Sequence, residues 1–273
     1  MKKVLSIILF STFAFAKIHV VVTVLPQKLF VDKIGGEKVE TNVMVESGAS
    51  PHSYSPKPSQ MRTITQADIY FTIGVEFEEI WLKKFVNQNR DLLVIDSAKD
   101  IEKNRSNHHH HEIDPHIWVN PVNVKIIAKN ITKALISQDQ NNSQYYQKNL
   151  KLFLTELENL DLKIKKILAK VPKNSAFMVF HPSWGYFASQ YGLRQIAVEV
   201  EGKEPKMKAL VQLMKKAKKE KIRAIFAQPE FSDKSVNILA KNLHINVVKV
   251  SPLAENWADN LIYLAKTIAD KGL

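Results

Sequence analysis

The sequence predicts an α/β protein: two parallel-sheet lobes, each of about four strands with flanking helices, joined by one long rigid helix. Three observations carry that expectation. Short apolar, β-branched runs alternate with longer helical patterns along the chain. One uninterrupted apolar stripe at helical spacing separates the first four runs from the last four. Histidines beside prolines fall in segments that leave a strand run towards a helical pattern. Alternation of strand and helix implies parallel sheets covered on both faces.

The chain of 273 residues opens with MKKVLSIILFSTFAFAKIHVVV. Lys2 and Lys3 precede an apolar run from Val4 to Phe15, and Ala14-Phe15-Ala16 has the small-x-small form of a cleavage site. That run is too short to span a bilayer, which takes about 20 residues. Residues 1–16 therefore read as a secretory signal peptide and not as a buried N-terminal helix. The expected mature chain lies outside the cytoplasm, in the periplasm. It contains no Cys, which removes lipid attachment at a processed cysteine, disulfides and thiolate metal sites. His, carboxylates and water remain as possible metal ligands.

The full chain carries 39 Lys and Arg against 27 Asp and Glu, a formal charge of +12. A basic chain can meet nucleic acid or an anionic surface. Here the lysines cluster on predicted helices, as in KKAKKEKIR (215–223), and read as a solvated face of an exported protein. No nucleic-acid partner is expected.

In the first half the strand runs are 18–25, 39–45, 68–74 and 92–96; in the second they are 176–180, 195–200, 223–227 and 247–251. Helical patterns occupy 57–66, 76–89, 121–137, 183–191, 204–220, 233–243 and 255–270. The expected division is an N-terminal lobe over 17–140, a linking helix over 141–171 and a C-terminal lobe over 172–273. Within the linking segment Tyr146, Leu150, Phe153, Leu157, Leu160, Ile164 and Ile167 follow at alternating spacings of four and three. Such a stripe makes either a coiled-coil dimer seam or one helix packed across both lobes. The chain returns to α/β pattern on both sides, which favours the second reading, a strut in a monomer. Asn142 or Ser143 can cap its start and Pro172 blocks its continuation.

Nine histidines are present. His19 and His244 lie in or beside strand runs and read as structural. His52 sits in ESGASPHSYSPKPSQM (46–61), His116 in DPHIWVNP (114–121) and His181 in MVFHPSWGYF (178–187). Each touches a proline, which limits the backbone freedom a ligand would lose on binding. Open parallel sheets bind ligands beyond the carboxyl ends of their strands. Two lobes facing each other by those ends would bring the three imidazoles to one cleft.

These segments resemble the metal-binding proteins of bacterial zinc and manganese ABC importers, specifically the periplasmic zinc-binding component. SPHSYSPKPSQM, DPHIWVNP and VFHPSWGYFASQYGL are similar to the family's three histidine segments. VEGKEP (200–205), IFAQPEFS (225–232) and SPLAENW (251–257) are similar to its C-terminal lobe. The resemblance covers essentially the whole chain after residue 16. It implies two lobes bridged by a rigid helix, one tightly held Zn²⁺ between them, and delivery to a membrane permease. It implies the ligands His52, His116 and His181. Manganese-binding relatives place carboxylates at the positions of His181 and Ser251, and many relatives carry Asp before PLA. Three imidazoles suit zinc, whereas an oxygen-rich set suits manganese. With Ser251 at the fourth position, water is the simplest fourth ligand. Asp114 is placed to orient a ligand histidine.

A manganese or iron importer component is the alternative. A zinc hydrolase would need a general base beside a bound water, and neither HExxH nor a nucleophile motif is present. A metal-linked adhesin is a further class, with no stalk or repeat to support it.

Four consecutive histidines, His108, His109, His110 and His111, belong to the polar segment KDIEKNRSNHHHHE (99–112). Relatives often carry a histidine-rich insertion there. The four read as an auxiliary, weak zinc-collecting loop, against the plainer reading of a solvated loop with incidental affinity. Trp118, Trp184 and Tyr186 lie beside the ligand segments and are expected to pack the interface between the lobes.

Overall fold

The structure is a computed structural model and describes residues 17–104, 113–199, 204–231 and 234–270. The expected signal peptide lies outside the described residues. So does the expected zinc-collecting run of His108, His109, His110 and His111.

Among the described residues, eight strands form two four-stranded, all-parallel sheets. The first contains β1 (Ile18–Val22), β2 (Val39–Val43), β3 (Ile69–Thr72) and β4 (Leu93–Asp96), in the order β2-β1-β3-β4. The second contains β5 (Ala176–Val179), β6 (Arg194–Ala197), β7 (Ala224–Ala227) and β8 (Asn246–Lys249), in the order β6-β5-β7-β8. The two orders are the same, so the halves repeat one topology. In each, the chain starts at an inner strand, moves outward and then crosses back. Val20 stands between Thr41 and Ile69 in the first sheet. Inner strands such as β1 are buried on both faces, which is why IHVVV is largely apolar rather than alternating.

Helices follow the strands: α1 (Leu25–Gly35), α2 (Pro58–Thr65), α3 (Glu76–Gln88) and α4 (Pro121–Gln138) in the first half. After α5 (Ser143–Leu168) come α6 (Gly185–Gln190), α7 (Met207–Lys219), α8 (Lys234–Leu243) and α9 (Trp257–Asp270). The sequence runs locate every one of these strands. Helix α1 has no counterpart among the expected helical patterns, because its apolar residues continue the β1 run. Pro26 opens it, and Gln27 fixes the turn from strand to helix. The Gln27 side-chain oxygen accepts from the Thr23 and Val24 amides at 3.0 and 3.1 Å. Its amide nitrogen donates to the Phe71 carbonyl at 3.1 Å. β1 therefore stops at Val22 and not at residue 25.

Helix α5 is 26 residues long, about 39 Å at 1.5 Å per residue. Its stripe is turned inward: Tyr146, Phe153, Leu157, Leu160 and Ile164 are buried, with Leu150 and Ile167 partly so. Phe153 lies against Phe30 of α1, with ring centroids 5.9 Å apart, and Phe30 meets Trp257 of α9 edge-on at 5.1 Å. Further along α5, Asp161 accepts from Gln190 and Tyr191 of the second half at 3.3 and 3.1 Å. The helix thus packs on both halves, and the apolar seam is consumed within the chain. Neither expected cap forms by side chain: Asn142 donates to Asp139 at 2.6 Å instead. At Gly36, with φ +50°, a Cβ would strike the Tyr145 hydroxyl of α5, so glycine is needed there.

One continuous core runs through the first sheet, α5, the inner residues of the second half and α9. A separate core lies beneath the far side of the second sheet, under α7 and α8. Trp118 and Trp257 lock the halves reciprocally. The Trp118 indole donates to the Pro252 carbonyl at 2.8 Å, and the Trp257 indole to the Trp118 carbonyl at 3.0 Å. Trp118, Trp184 and Tyr186 are all buried at this junction, as expected of packing residues. Among the described residues no helix is long and apolar enough to cross a membrane.

Candidate metal centre

His52, His116 and His181 meet where the carboxyl ends of the two sheets face each other. Each offers one ring nitrogen, and these atoms all lie within 4.8 Å of one another. The Nε2 atoms of His52 and His181 are 3.1 Å apart. Ring centroids are 4.8 Å apart for His52 and His181, 5.2 Å for His116 and His181, and 6.1 Å for His52 and His116. Neither sheet alone supplies the group. His52 follows β2, His116 follows β4 and His181 follows β5. The four histidines expected to form an auxiliary, weak zinc-collecting loop, His108, His109, His110 and His111, fall outside the described residues.

A carboxylate stands at Nδ1 of every one of the three converging rings. Glu76 Oε2 lies 2.9 Å from His52 Nδ1, Asp114 Oδ1 lies 2.8 Å from His116 Nδ1, and Glu199 Oε1 lies 2.9 Å from His181 Nδ1. A carboxylate only accepts when ionised, so each holds the proton on Nδ1 and leaves the Nε2 lone pair free. Asp114, singled out in the sequence, is the carboxylate that faces His116. Its Oδ1 also accepts from the His116 backbone amide at 2.9 Å, which fixes ring and backbone together. Its Oδ2 sits against Gly185, where any Cβ would collide with it.

Glu76 and Glu199 are not singled out by the sequence. The one signal at Glu199 is a carboxylate inside the apolar run QIAVEV; it is buried in the structure. Glu76 opens α3, and its loop is held from beneath by Glu78. That buried carboxylate accepts from the amides of Ile73 and Gly74 at 2.9 and 2.8 Å and from the Thr23 hydroxyl. His181 is braced in turn by Gln228, whose side chain accepts from the His181 amide at 3.1 Å and donates to its carbonyl at 2.8 Å. The His181 ring stacks on Phe231 with centroids 4.7 Å apart.

The electrostatics match these surroundings. Burial lowers His181 to about 4, against the opposing pull of Glu199, so its ring is neutral at physiological pH. Burial acts to raise Glu76, but the hydrogen bond and charge of His52 outweigh it and leave the carboxyl at about 2. Burial raises Glu78 to about 7, against the hydrogen bonds it accepts. A neutral imidazole is the form that ligates a metal.

Ser251 lies just beyond the carboxyl end of β8. Its hydroxyl donates to Glu230 Oε1 and accepts from the Leu253 amide at 2.9 Å. Glu230 lines the cavity beside His52 and His116. Of the remaining histidines, His19 is exposed and 3.8 Å from Glu40, and His244 adopts φ +54° after α8.

Residues 20–271 match the family described as ZnuA, zinc-uptake complex component A, periplasmic. The high-affinity zinc uptake system protein ZnuA of Bacillus subtilis (strain 168) is 29% identical, over 94% of this chain and 82% of that protein. A manganese ABC transporter substrate-binding lipoprotein, PsaA of Streptococcus anginosus, is 28% identical over 78% of this chain and 73% of that protein. The crystal structure of a zinc-bound ZnuA deletion mutant superposes with a TM-score of 0.89 at 39% identity, covering 94% of this chain and 98% of that one. The chain belongs to the family of periplasmic components of zinc-uptake complexes, whose members are substrate-binding proteins of ABC importers and not enzymes.

Proposed function

We propose that His52, His116 and His181 bind one Zn²⁺ through their Nε2 atoms, and that the protein carries this ion in the periplasm to the membrane permease of an ABC importer. The convergence of three ring nitrogens from both lobes, each ring held by its own carboxylate at Nδ1, supports the reading. With Zn–N near ~2.05 Å and tetrahedral angles, two ligand nitrogens stand about 3.3 Å apart. The 3.1 Å between His52 and His181 approaches that spacing.

The nitrogen donors also weigh against the manganese alternative. Manganese favours carboxylate, carbonyl and water oxygens, whereas the three acidic groups here face Nδ1 atoms from behind. The chain is proposed to act as a monomer, since α5 buries its stripe internally, and to bind no nucleic acid. Asp114 is proposed as an orienting residue for His116. His108, His109, His110 and His111 are proposed as an auxiliary collector, on the density of imidazoles in that segment.

Titrating metal-free protein with zinc against a competing chelator tests the ligand set. His52→Ala, His116→Ala and His181→Ala should each weaken binding by at least about 100-fold, since each removes a direct ligand where loss of a supporting residue alone costs 10–100-fold. Near-unchanged affinity in two of the three would overturn it.

A further inference from the structure

Zinc held by three protein ligands takes a fourth, and in open sites that place is filled by water. The family position for a protein donor, Ser251, is already committed to Glu230 and Leu253. Glu230 itself is different. It follows β7 and lines the same cavity as His52, His116 and Trp118. One oxygen, Oε1, is held by Ser251. The other, Oε2, is buried and has no hydrogen-bond partner among the described residues. The next residue, Phe231, stacks on the His181 ring, so the carboxylate is carried on the segment that touches the third histidine.

Buried polar atoms are almost always paired, and an unpaired carboxylate oxygen is among the costlier exceptions. A cation beside it removes that cost. Lys249 supplies a positive field, but no hydrogen bond reaches Glu230 Oε2 among the described residues. Glu76, Asp114 and Glu199 are occupied with imidazole Nδ1 atoms. Two carboxylate oxygens around the site are buried without a hydrogen-bond partner among the described residues, Glu76 Oε2 and Glu230 Oε2; the first lies 2.9 Å from His52 Nδ1, which leaves Glu230 Oε2 as the one not already set against an imidazole.

Resting on the three-histidine reading above, we propose that Glu230 is the fourth protein ligand of the bound zinc, donating Oε2, with Ser251 holding Oε1. Among the described residues only the three histidines have donor atoms mutually within 4.8 Å, so ligation requires the Glu230 side chain to turn inward from the cavity wall as the ion enters. The result is a closed tetrahedral site of three nitrogens and one oxygen. Its net charge falls from +2 to +1, and it has no open position for hydrolytic chemistry. Ser251 then acts one step back, as a tether replacing a direct donor.

Cobalt(II) substituted for zinc in the full chain provides the test. A metal-bound water ionises near pH ~7 in zinc sites, whereas a bound carboxylate does not titrate there. The wild-type cobalt absorption should therefore be constant between about pH 6 and 9. In Glu230→Gln water takes the vacant position, so the spectrum should become pH-dependent, and zinc affinity should fall by about 10-fold or more. Ser251→Ala, which loses the tether but keeps the ligand, should retain the constant spectrum. A wild-type spectrum that titrates near ~7, or a Glu230→Gln protein matching wild type in both readouts, overturns the proposal. His116→Ala, measured in parallel, separates the two levels. Loss of tight binding there with an unaffected Glu230→Gln leaves the three-histidine site standing without Glu230. Retention of tight binding in His116→Ala overturns both.

Discussion

His52 Nε2 and His181 Nε2 lie 3.1 Å apart across the junction of the two sheets, although 129 residues separate them in sequence. With Glu76 and Glu199 holding the Nδ1 protons, both Nε2 atoms present lone pairs to the same point. Two lone pairs at that distance repel, and a metal ion or a shared proton between them removes the repulsion. The carboxylates therefore do more than orient rings. They favour the tautomer in which both Nε2 atoms can face one metal ion.

If that is their role, removing the charge without changing the shape should weaken zinc binding while leaving the ligands in place. Asp114→Asn and Glu199→Gln should each cost about 10–100-fold in zinc affinity. Glu40→Gln, near His19 on the outer sheet edge, should cost nothing. Gly185→Ala should act like a mild Asp114 variant, because the added Cβ displaces Asp114 Oδ2. Competition titration reads all four. Equal affinities for Asp114→Asn and Glu40→Gln would contradict the orienting role.

Much of the fold, and the convergence of three histidines, is legible in the sequence for reasons that can be named. The eight strands stand out because short parallel strands buried on both faces must be apolar and β-branched. The three histidines stand out because prolines and strand ends mark them. Helix α1 escapes because IHVVVTVLPQKLF carries strand and helix in one apolar stretch, and the break is made by Gln27 reaching the Thr23 and Val24 amides. Glu76, Glu199 and Gln228 escape because their partners are 24, 18 and 47 residues away, and no local pattern encodes such pairing. Glu78 looks like one of several exposed acids in EFEEI, yet it is the one turned under the β3–α3 loop. The division at residues 140 and 171 falls near the ends of α5, while the shared core runs across it.

Glu78 gives the apo protein a pH signature. Its carboxyl is raised by burial to about 7 from an ordinary 4.5. Between those values the folded state holds a proton that the unfolded state has released. Its stabilising effect is thus full below about pH 4.5 and is lost as pH rises through about 7. At 1.36 kcal/mol per pH unit the whole window amounts to on the order of 3 kcal/mol. Urea unfolding of metal-free wild type and Glu78→Gln at pH 5 and 7.5 should show the variant gaining relative stability at the higher pH, by about 1–3 kcal/mol. No pH-dependent difference between the two would refute the buried-acid account.

The reciprocal indole bonds of Trp118 and Trp257 predict that the halves unfold as one unit. Trp257→Ala removes a buried ring from the junction with Phe30 and should cost about 3–5 kcal/mol. Wild type should show a single thermal transition, with stability raised by about 2.7 kcal/mol when free zinc is at 100 times its dissociation constant. Two separate transitions in the metal-free wild type would show that the junction is not the rigid element described.

Deleting His108, His109, His110 and His111 together should leave the proposed tight site intact, because its three proposed ligands and their carboxylates lie elsewhere in the chain. The deletion should remove only additional, weaker binding events in a zinc titration. Loss of the tight event would show that the run takes part in the main site.

The most direct measurement is anomalous scattering at the zinc edge from crystals of the zinc-loaded protein. The account predicts one dominant peak within about 2.0–2.1 Å of the Nε2 atoms of His52, His116 and His181, with each Nδ1 still facing its carboxylate. A dominant peak elsewhere, or one bound through Nδ1 of any of the three, would contradict it.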